Sequence, residues 1–298
     1  MRISAINSIK NNYFIKNKPV SFKQGQDIFV KTTTPTERKS FFEIINEKRK
    51  FDISDYKSLS PREIESKKRL ADESLTYAVE ENIFAGNLVK DYLDKTYGKD
   101  KYVFACIGTS PAGIGRVLEF SGVETKYLPV TNFRAYTYIS DYLDKNPDAE
   151  NKYLSFLKSQ GIDKETIKNN DKTVLFVDYT HRGDTLKCFE SFIKNRAKID
   201  DKKVEFISLN DLMTEALPVK DYTEDYFRLC DYMTSYLAAA KISEYAGVPH
   251  LKLEEFKDMD EILKEYNDLP TNLFNLLVID ELNKQGKLKA NPLNKDSL

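Results

Sequence analysis

A short segment in the middle of the chain carries residue types that suit phosphate recognition. Residues 174–177 are apolar and are followed directly by the acid Asp178. Gly183 and Thr185 come shortly afterwards. A glycine permits a tight turn that aims successive backbone N–H groups at one point, and a helix starting there adds its positive dipole end. With the Thr185 hydroxyl as a donor and Asp178 as an acceptor for hydroxyls, this spacing predicts a phosphate site beside a sugar site.

A second polar loop follows the first strongly apolar run of the chain. Residues 102–107 are predicted to form a buried strand, and Gly108, Thr109 and Ser110 come directly after it. Small residues let a ligand approach the backbone closely, and the two hydroxyls can donate hydrogen bonds. Ligands of open α/β sheets lie beyond the carboxyl ends of the strands, so we expect both loops at one edge of a sheet.

The segment 174–186 resembles the signature with which type I phosphoribosyltransferases bind 5-phosphoribosyl-1-pyrophosphate (PRPP). That signature contains a hydrophobic strand, two acids, two usually apolar residues and a five-residue loop of the Asp-Thr-Gly-x-Thr kind. Aligned without gaps, residues 181–185 fill the loop, Asp178 takes the second acid position and Val177 the first. The alternative alignment pairs Asp178 and Tyr179 with the two acids and shortens the turn by one residue.

The resemblance implies a role for each position of this segment. Asp178 would bind the ribose hydroxyls. His181 replaces an acid thought to assist proton transfer, and His181 and Asp178 would be the catalytic groups, because His is an acid or base near neutral pH. The implied 5′-phosphate loop consists of His181, Arg182, Gly183, Asp184 and Thr185.

The resemblance also implies where the rest of the ligand would bind. Arg116 or Arg134 would supply positive charge for the pyrophosphate, and Mg²⁺ would be held mainly by PRPP oxygens. The Tyr-rich residues 131–150 correspond to the flexible segment that covers the family's site. A hood over the base would come from residues 50–98, from the C-terminal helices, or from both. The implied pyrophosphate loop consists of Gly108, Thr109 and Ser110.

Two alternatives keep the segment but remove the reaction. In the first, residues 174–186 form an ordinary strand–turn–helix corner in which Asp184 caps the helix. In the second, the protein is a non-catalytic phosphosugar or nucleotide sensor with the same fold. In that case the changes at Val177 and His181, which replace family acids, would have removed turnover and left recognition.

A third alternative is a serine hydrolase. Residues 108–112 approximate a nucleophile elbow, and Ser110, Asp178 and His250 occur in the order of the hydrolase triad. The last glycine of that motif is replaced by alanine, and only one predicted strand precedes Ser110. These departures make the hydrolase the weakest of the interpretations.

The elements that would position these loops alternate between strand and helix. This alternation predicts a doubly wound, mainly parallel α/β sheet of the type I phosphoribosyltransferase kind over residues 101–212. A flexible arm is predicted over residues 1–50, a helical segment over 51–100 and a helical C-terminal region over 213–298. The predicted strands are 102–107, 125–130, 173–178 and 204–208, with helices over 114–120 and 184–196 and a largely helical stretch over 131–170.

Composition narrows the class of protein further. The 298 residues include 46 Lys and Arg against 47 Asp and Glu, a balance that disfavours a dedicated nucleic-acid binder. No apolar run approaches the ~18 residues of a membrane span, and the first residues lack the apolar core of a signal peptide. Three scattered cysteines give no disulfide or zinc framework. We expect a cytoplasmic protein whose partner is a small phosphoribosyl ligand rather than nucleic acid or a membrane, and a homodimer stays open.

Overall fold

The computed structural model describes residues 60–131, 133, 135–180, 183–216, 248–249, 251–265 and 273–289. The predicted arm over residues 1–50 lies outside these ranges. The strands are β1 (Tyr102–Ile107), β2 (Thr125–Leu128), β3 (Thr173–Asp178) and β4 (Val204–Ser208). The helices are α1 (Pro61–Tyr97), α2 (Ala112–Phe120), α3 (Tyr136–Lys145), α4 (Pro147–Ser159), α5 (Lys164–Asn169), α6 (Asp184–Asn195), α7 (Leu209–Ala216), α8 (Met259–Glu265) and α9 (Leu273–Lys284), with a 3-10 helix at Leu253–Asp258.

The four strands form one all-parallel sheet in the order β2-β1-β3-β4. Phe104 of β1 pairs with Thr125 of β2 on one side and with Leu175 of β3 on the other. All six residues of β1 are buried, as expected for a short apolar run covered on both faces of a parallel sheet. The predicted α/β class is confirmed.

Helices cover both faces of the sheet. Side chains alternate along a strand, so Val174 and Phe176 of β3 lie on one face and pack with Phe189 of α6. Leu175 and Val177 lie on the other face, in a cluster with side chains of α1, α2 and α7. The central strand β3 therefore separates two apolar layers, and its carboxyl end emerges between them.

Helix α1 begins and ends at the residues that its sequence signals predict. The Ser60 side chain and Glu63 form a capping box, Pro61 occupies the first turn, and Gly98 follows the last residue. The predicted helix, one or two in series, is a single helix of 37 residues. Neither α1 nor any other helix in the described ranges is apolar enough over sufficient length to cross a membrane.

Three features bear on the sequence predictions. Strand β2 ends at Leu128 because Pro129, which follows it, cannot donate to a ladder. In the C-terminal region 213–298, predicted to be helical, residues 248–249 and 251–252 are not in a helix, and Leu251 accepts a backbone bond from the Thr131 N–H at 2.9 Å. The Tyr-rich residues 131–150 correspond in the resemblance to a flexible cover. Their described part contains α3 and the start of α4, in agreement with the helical prediction for 131–170, and Ile139 and Leu143 are buried in the core.

Candidate functional site

The sheet order places a topological switch point between β1 and β3. The chain leaves β1 toward the β2 edge, whereas it leaves β3 toward the β4 edge, and β1 and β3 are neighbours. Loops after the two strands thus diverge at their carboxyl ends, the kind of place where open α/β sheets bind ligands. The two loops singled out by the sequence, after Ile107 and after Asp178, are the loops that flank this point.

The loop after β1 is shaped by Gly108. Its φ is +67°, and its N–H donates to the Leu128 carbonyl at 2.8 Å. A Cβ at this position would lie 2.7 Å from the carbonyl oxygen of Val130. Thr109 is buried and Ser110 half-buried. Of the two hydroxyls in the predicted pyrophosphate loop, that of Ser110 is therefore the more accessible.

Helix α2 starts directly after the same loop, and its first N–H, that of Ala112, donates to the Thr109 carbonyl at 3.1 Å. Pro111 is the N-cap residue of α2 and makes no side-chain capping bond with any described residue. The first N–H groups of a helix have no partner within the helix. Helix α2 therefore brings its positive end to the carboxyl edge of β1.

The loop after β3 ends at Gly183, which is the N-cap of α6. Gly183 has φ +76°, the left-handed region that favours glycine, and no described side chain caps the helix. Asp184 was the predicted N-cap of the simple-corner alternative, but it is the first helical residue. Thr185 is half-buried in the first turn. The first N–H groups of α6 have no partner within the helix, and such groups together with a threonine hydroxyl are features that bind a phosphate.

Asp178 is a buried acid at the end of β3. Only 6% of the residue is exposed, and the alternation along β3 puts its side chain on the face covered by α6. Burial raises the pKa of Asp178 to about 7, and a hydrogen bond from the Tyr179 backbone opposes this rise. A carboxyl group with such a pKa is a candidate functional group, because it changes protonation state near neutral pH.

The carboxyl end of β4 completes the edge with residues that the sequence analysis missed. Asp178 pairs in register with Ser208, whose side-chain oxygen accepts a hydrogen bond from the Thr180 hydroxyl at 2.6 Å. Asn210 donates to the Thr180 carbonyl at 3.1 Å. The polar residues directly after the predicted strand 204–208 were the available signal.

Some predicted residues lie elsewhere or outside the described ranges. Arg116 was expected to face a pyrophosphate, but it is 6% exposed, donates to Glu119 at 2.8 Å and lies 4.0 Å above the Tyr127 ring. The guanidinium of Arg116 is therefore engaged inside the protein, and this arrangement disfavours the predicted pyrophosphate role. The residues outside the described ranges are Arg134, His181, Arg182 and His250.

A groove of about 590 Å³ lies beyond the carboxyl end of β2. Thr131, Phe133 and Tyr138 line one side, and residues 252–255 line the other. The Tyr138 ring is 56% exposed, and its hydroxyl donates to Glu254 at 2.9 Å. Strands β2 and β3 are two strand spacings apart, so this groove opens roughly 10 Å to the side of Asp178.

Two further cavities, of about 350 and 400 Å³, lie at the opposite edge of the sheet. They share Asp100, Gly122 and Val123, which belong to the loops before β1 and β2. Neither is lined by a residue of the two predicted loops. The 590 Å³ groove is not lined by these loops either, so the candidate site rests on the strand topology and the chemistry of the loops.

The described residues contain no group of three or more His, Cys, Asp or Glu side chains that could hold a metal ion. No family model, curated protein or solved structure matches the chain.

Proposed function

We propose that the protein binds PRPP or a nucleoside 5′-monophosphate at the carboxyl ends of β1 and β3, and transfers a phosphoribosyl group to or from a nitrogenous base. One observation carries the proposal. The topological switch point brings Gly108 and its loop beside Asp178, and the uncapped start of α6 follows at Gly183. This is the order of groups that a ligand with a pyrophosphate, a ribose and a 5′-phosphate requires.

Each group of the ligand has a proposed partner. Loop 181–185 would bind the 5′-phosphate through backbone N–H groups and the Thr185 hydroxyl. Asp178 would accept hydrogen bonds from the ribose hydroxyls. The loop Gly108–Ser110 would bind the pyrophosphate, with its small residues allowing close approach of the backbone.

Magnesium fits this arrangement as an ion that arrives with the ligand. Asp178 and Asp184 lie at this edge, and either could add one oxygen to a Mg²⁺ held mainly by PRPP oxygens. The ion would neutralise charge on the departing pyrophosphate. Carboxylate and phosphate oxygens are the ligands that Mg²⁺ prefers, so the residues present are compatible with it.

The proposed transfer requires little covalent chemistry from the protein. The bond from the ribose C1′ to a pyrophosphate oxygen breaks, and pyrophosphate leaves with the bonding electrons. A ring nitrogen of the base forms the new bond to C1′ and loses a proton. The ionised form of Asp178 would stabilise the positive charge that develops on the ribose, and His181 is the proposed proton acceptor.

The groove beside β2 supports a place for the acceptor base. It is lined by Thr131, Phe133, Tyr138, Ile139 and residues 252–255, and the last four come from the C-terminal region expected to contribute to a hood. The exposed Tyr138 ring offers a flat surface for stacking a planar base. Lys252 and Glu254, both exposed, offer hydrogen-bond partners for the edge of the base.

A sensor without turnover is the second candidate, and Val177 favours it. Val177 is fully buried in the cluster on the opposite face from Asp178, so the first acid position of the signature faces the core. Asp178 would then be the one ribose carboxylate that β3 contributes. Such a site could retain recognition of the ligand after the loss of catalysis.

Calorimetric titration with PRPP and with nucleoside monophosphates, with and without Mg²⁺, tests the proposal. We expect Thr185→Ala to weaken PRPP binding about tenfold, the worth of one hydrogen bond to a charged group. Gly183→Val should weaken it further, because a β-branched residue does not adopt the left-handed conformation of Gly183. Gly286→Val is the matched control, since Gly286 has φ +68° and open space around it.

The outcomes separate the candidates. If neither PRPP nor any monophosphate binds the wild-type protein, both the enzyme and the sensor are rejected. If PRPP binds, a screen of bases with detection of released pyrophosphate follows. Release with one base identifies the enzyme and its acceptor, whereas binding without release from any base supports the sensor.

A further inference from the structure

The corner between β4 and α7 contacts the segment that joins Asp178 to α6. Asp178 pairs with Ser208, and α7 begins at the next residue. The Thr180 hydroxyl donates to the Ser208 oxygen at 2.6 Å, and the Asn210 amide donates to the Thr180 carbonyl at 3.1 Å. Both the side chain and the backbone of Thr180 are therefore fixed by this corner.

Asn210 also holds the residue before Thr180. Burial raises the pKa of Tyr179, and a side-chain hydrogen bond with Asn210 offsets part of this rise. The Tyr179 ring packs against the cluster on the α1 and α2 face of the sheet. One amide side chain thus contacts both residues that separate Asp178 from loop 181–185.

The orientation of the Asn210 amide indicates a role beyond stability. Its Oδ1 atom is buried and has no hydrogen-bond partner among the described residues. An unpaired buried acceptor lowers stability, and turning the amide over would direct Oδ1 at the Thr180 carbonyl oxygen. The residue is therefore suboptimal for stability alone, and its donors are directed at the segment after Asp178.

We propose that Asn210 is a positioning residue that fixes Tyr179 and Thr180, the two residues between Asp178 and the proposed phosphate loop. The proposal rests on the proposed function, because these two residues connect the proposed ribose and 5′-phosphate sites. Amide donors select a ligand only when their geometry is held closely by supporting contacts. Asn210 provides such a contact for Thr180, which directly precedes this loop.

Asn210 is a cleaner test than Ser208. The Ser208 oxygen also accepts the Asp211 N–H at 3.4 Å, a capping contact for α7, so its removal would alter the helix as well. Asn210→Ala removes the amide and keeps a good helix former. Thr214→Ala is the matched control, because Thr214 is an exposed residue of α7 whose hydroxyl donates within the helix, to the Asn210 carbonyl at 2.8 Å.

The experiment measures by calorimetry the binding affinity for each of two ligands separately, ribose 5-phosphate and Mg²⁺-pyrophosphate. We expect Asn210→Ala to weaken ribose 5-phosphate binding about tenfold, the worth of one well-placed hydrogen bond. Pyrophosphate binding should be unchanged, because it is assigned to Gly108–Ser110. General damage to the fold would weaken both ligands, and Thr214→Ala should weaken neither.

Three results overturn or separate the proposals. Equal ribose 5-phosphate affinity in Asn210→Ala and wild type rejects the positioning role and leaves the proposed function intact. Equal losses for both ligands also reject it, since they indicate general damage. If wild type binds neither ligand, the proposed function fails and the positioning role fails with it. Hydrogen exchange then tests the contact alone: faster exchange over residues 179–187 in Asn210→Ala than in Thr214→Ala shows that Asn210 holds this segment, and equal exchange rejects that contact as well.

Discussion

At the scale of single residues, Asp178 shows how the end of a buried strand removes a carboxyl group from water. The strand that carries it is apolar and buried, so the residues around Asp178 exclude water from its carboxyl group. Burial raises the pKa of Asp178 to about 7 because it disfavours the charged form. Ribose hydroxyls that donate to the carboxylate would compensate for the lost water.

The cost of this burial should be visible in the pH dependence of stability. The unfolded chain ionises Asp178 near pH 4, and the folded protein near pH 7. Both states are protonated below pH 4, so stability is lost as the pH rises from 4 to 7 and stays low above that. Asp178→Asn, which cannot ionise, should therefore be more stable than wild type at pH 8, by a few kcal/mol.

Urea unfolding of both proteins at pH 4, 6 and 8 measures this difference. We expect the gap to be largest at pH 8 and to narrow toward pH 4. A gap that is constant across this range would mean that Asp178 ionises alike in the folded and unfolded chain. The raised pKa would then be wrong.

At the scale of elements, the loop after β1 depends on a close crossing of two chain segments. Gly108 passes beneath the chain that follows β2, with room for a hydrogen but not for a Cβ beside the Val130 oxygen. Because that oxygen belongs to the backbone, it cannot move aside cheaply. The glycine is therefore required by the packing of β1 against β2 as well as by its φ.

Replacing glycine by alanine at two positions separates these requirements. Gly108 and Gly286 have nearly equal φ values, +67° and +68°, but a Cβ at Gly286 would meet nothing within 4 Å. Gly286→Ala should cost about 1 kcal/mol for the left-handed backbone alone. Gly108→Ala should cost a further 1–3 kcal/mol, roughly the cost of overpacking. Denaturant midpoints measure the stability costs of both substitutions. Equal costs would show that a Cβ at residue 108 fits beside the Val130 oxygen.

At the scale of the whole molecule, the layer on the α6 face joins segments that are far apart in the chain. Tyr153 of α4 stacks on Phe256 of the 3-10 helix with ring centroids 4.2 Å apart. Leu251 and Leu253 belong to the same cluster. This packing fixes residues 252–255 beside the carboxyl edge of the sheet and so forms one wall of the groove proposed for the base.

A pair of Tyr→Phe variants tests whether the hydroxyl of the buried Tyr153 has a hydrogen-bond partner. The Tyr153 hydroxyl is buried with no hydrogen-bond partner among the described residues, so Tyr153→Phe should raise the free energy of unfolding by about 1 kcal/mol. The Tyr102 hydroxyl donates to Asp94 at 2.9 Å, so Tyr102→Phe should lower it by a similar amount, about 1 kcal/mol. Thermal unfolding compares them, and a loss of stability in both would reveal a partner for Tyr153.

Strands and helices that are specified by a short stretch of sequence could be predicted without the structure. Residues 102–107 and 204–208 form the predicted strands. Helix α1 begins at Pro61 because Ser60 and Glu63 form a capping box, and this start is predictable because the capping residues lie within four positions of each other. Asp178, Gly183 and Thr185 could likewise be singled out, since a strand end followed by a turn is visible in a short window. These signals depend on neighbours in the chain.

Which strand ends are neighbours, and which side chains are engaged in contacts away from the site, follows from the tertiary structure alone. The order β2-β1-β3-β4 makes β1 adjacent to β3, although about 65 residues separate them. Arg116 contacts Glu119 and Tyr127, and Asn210 of α7 donates a hydrogen bond to the Thr180 carbonyl. Such contacts depend on how helices and strands pack in three dimensions, which no local pattern of residue types records.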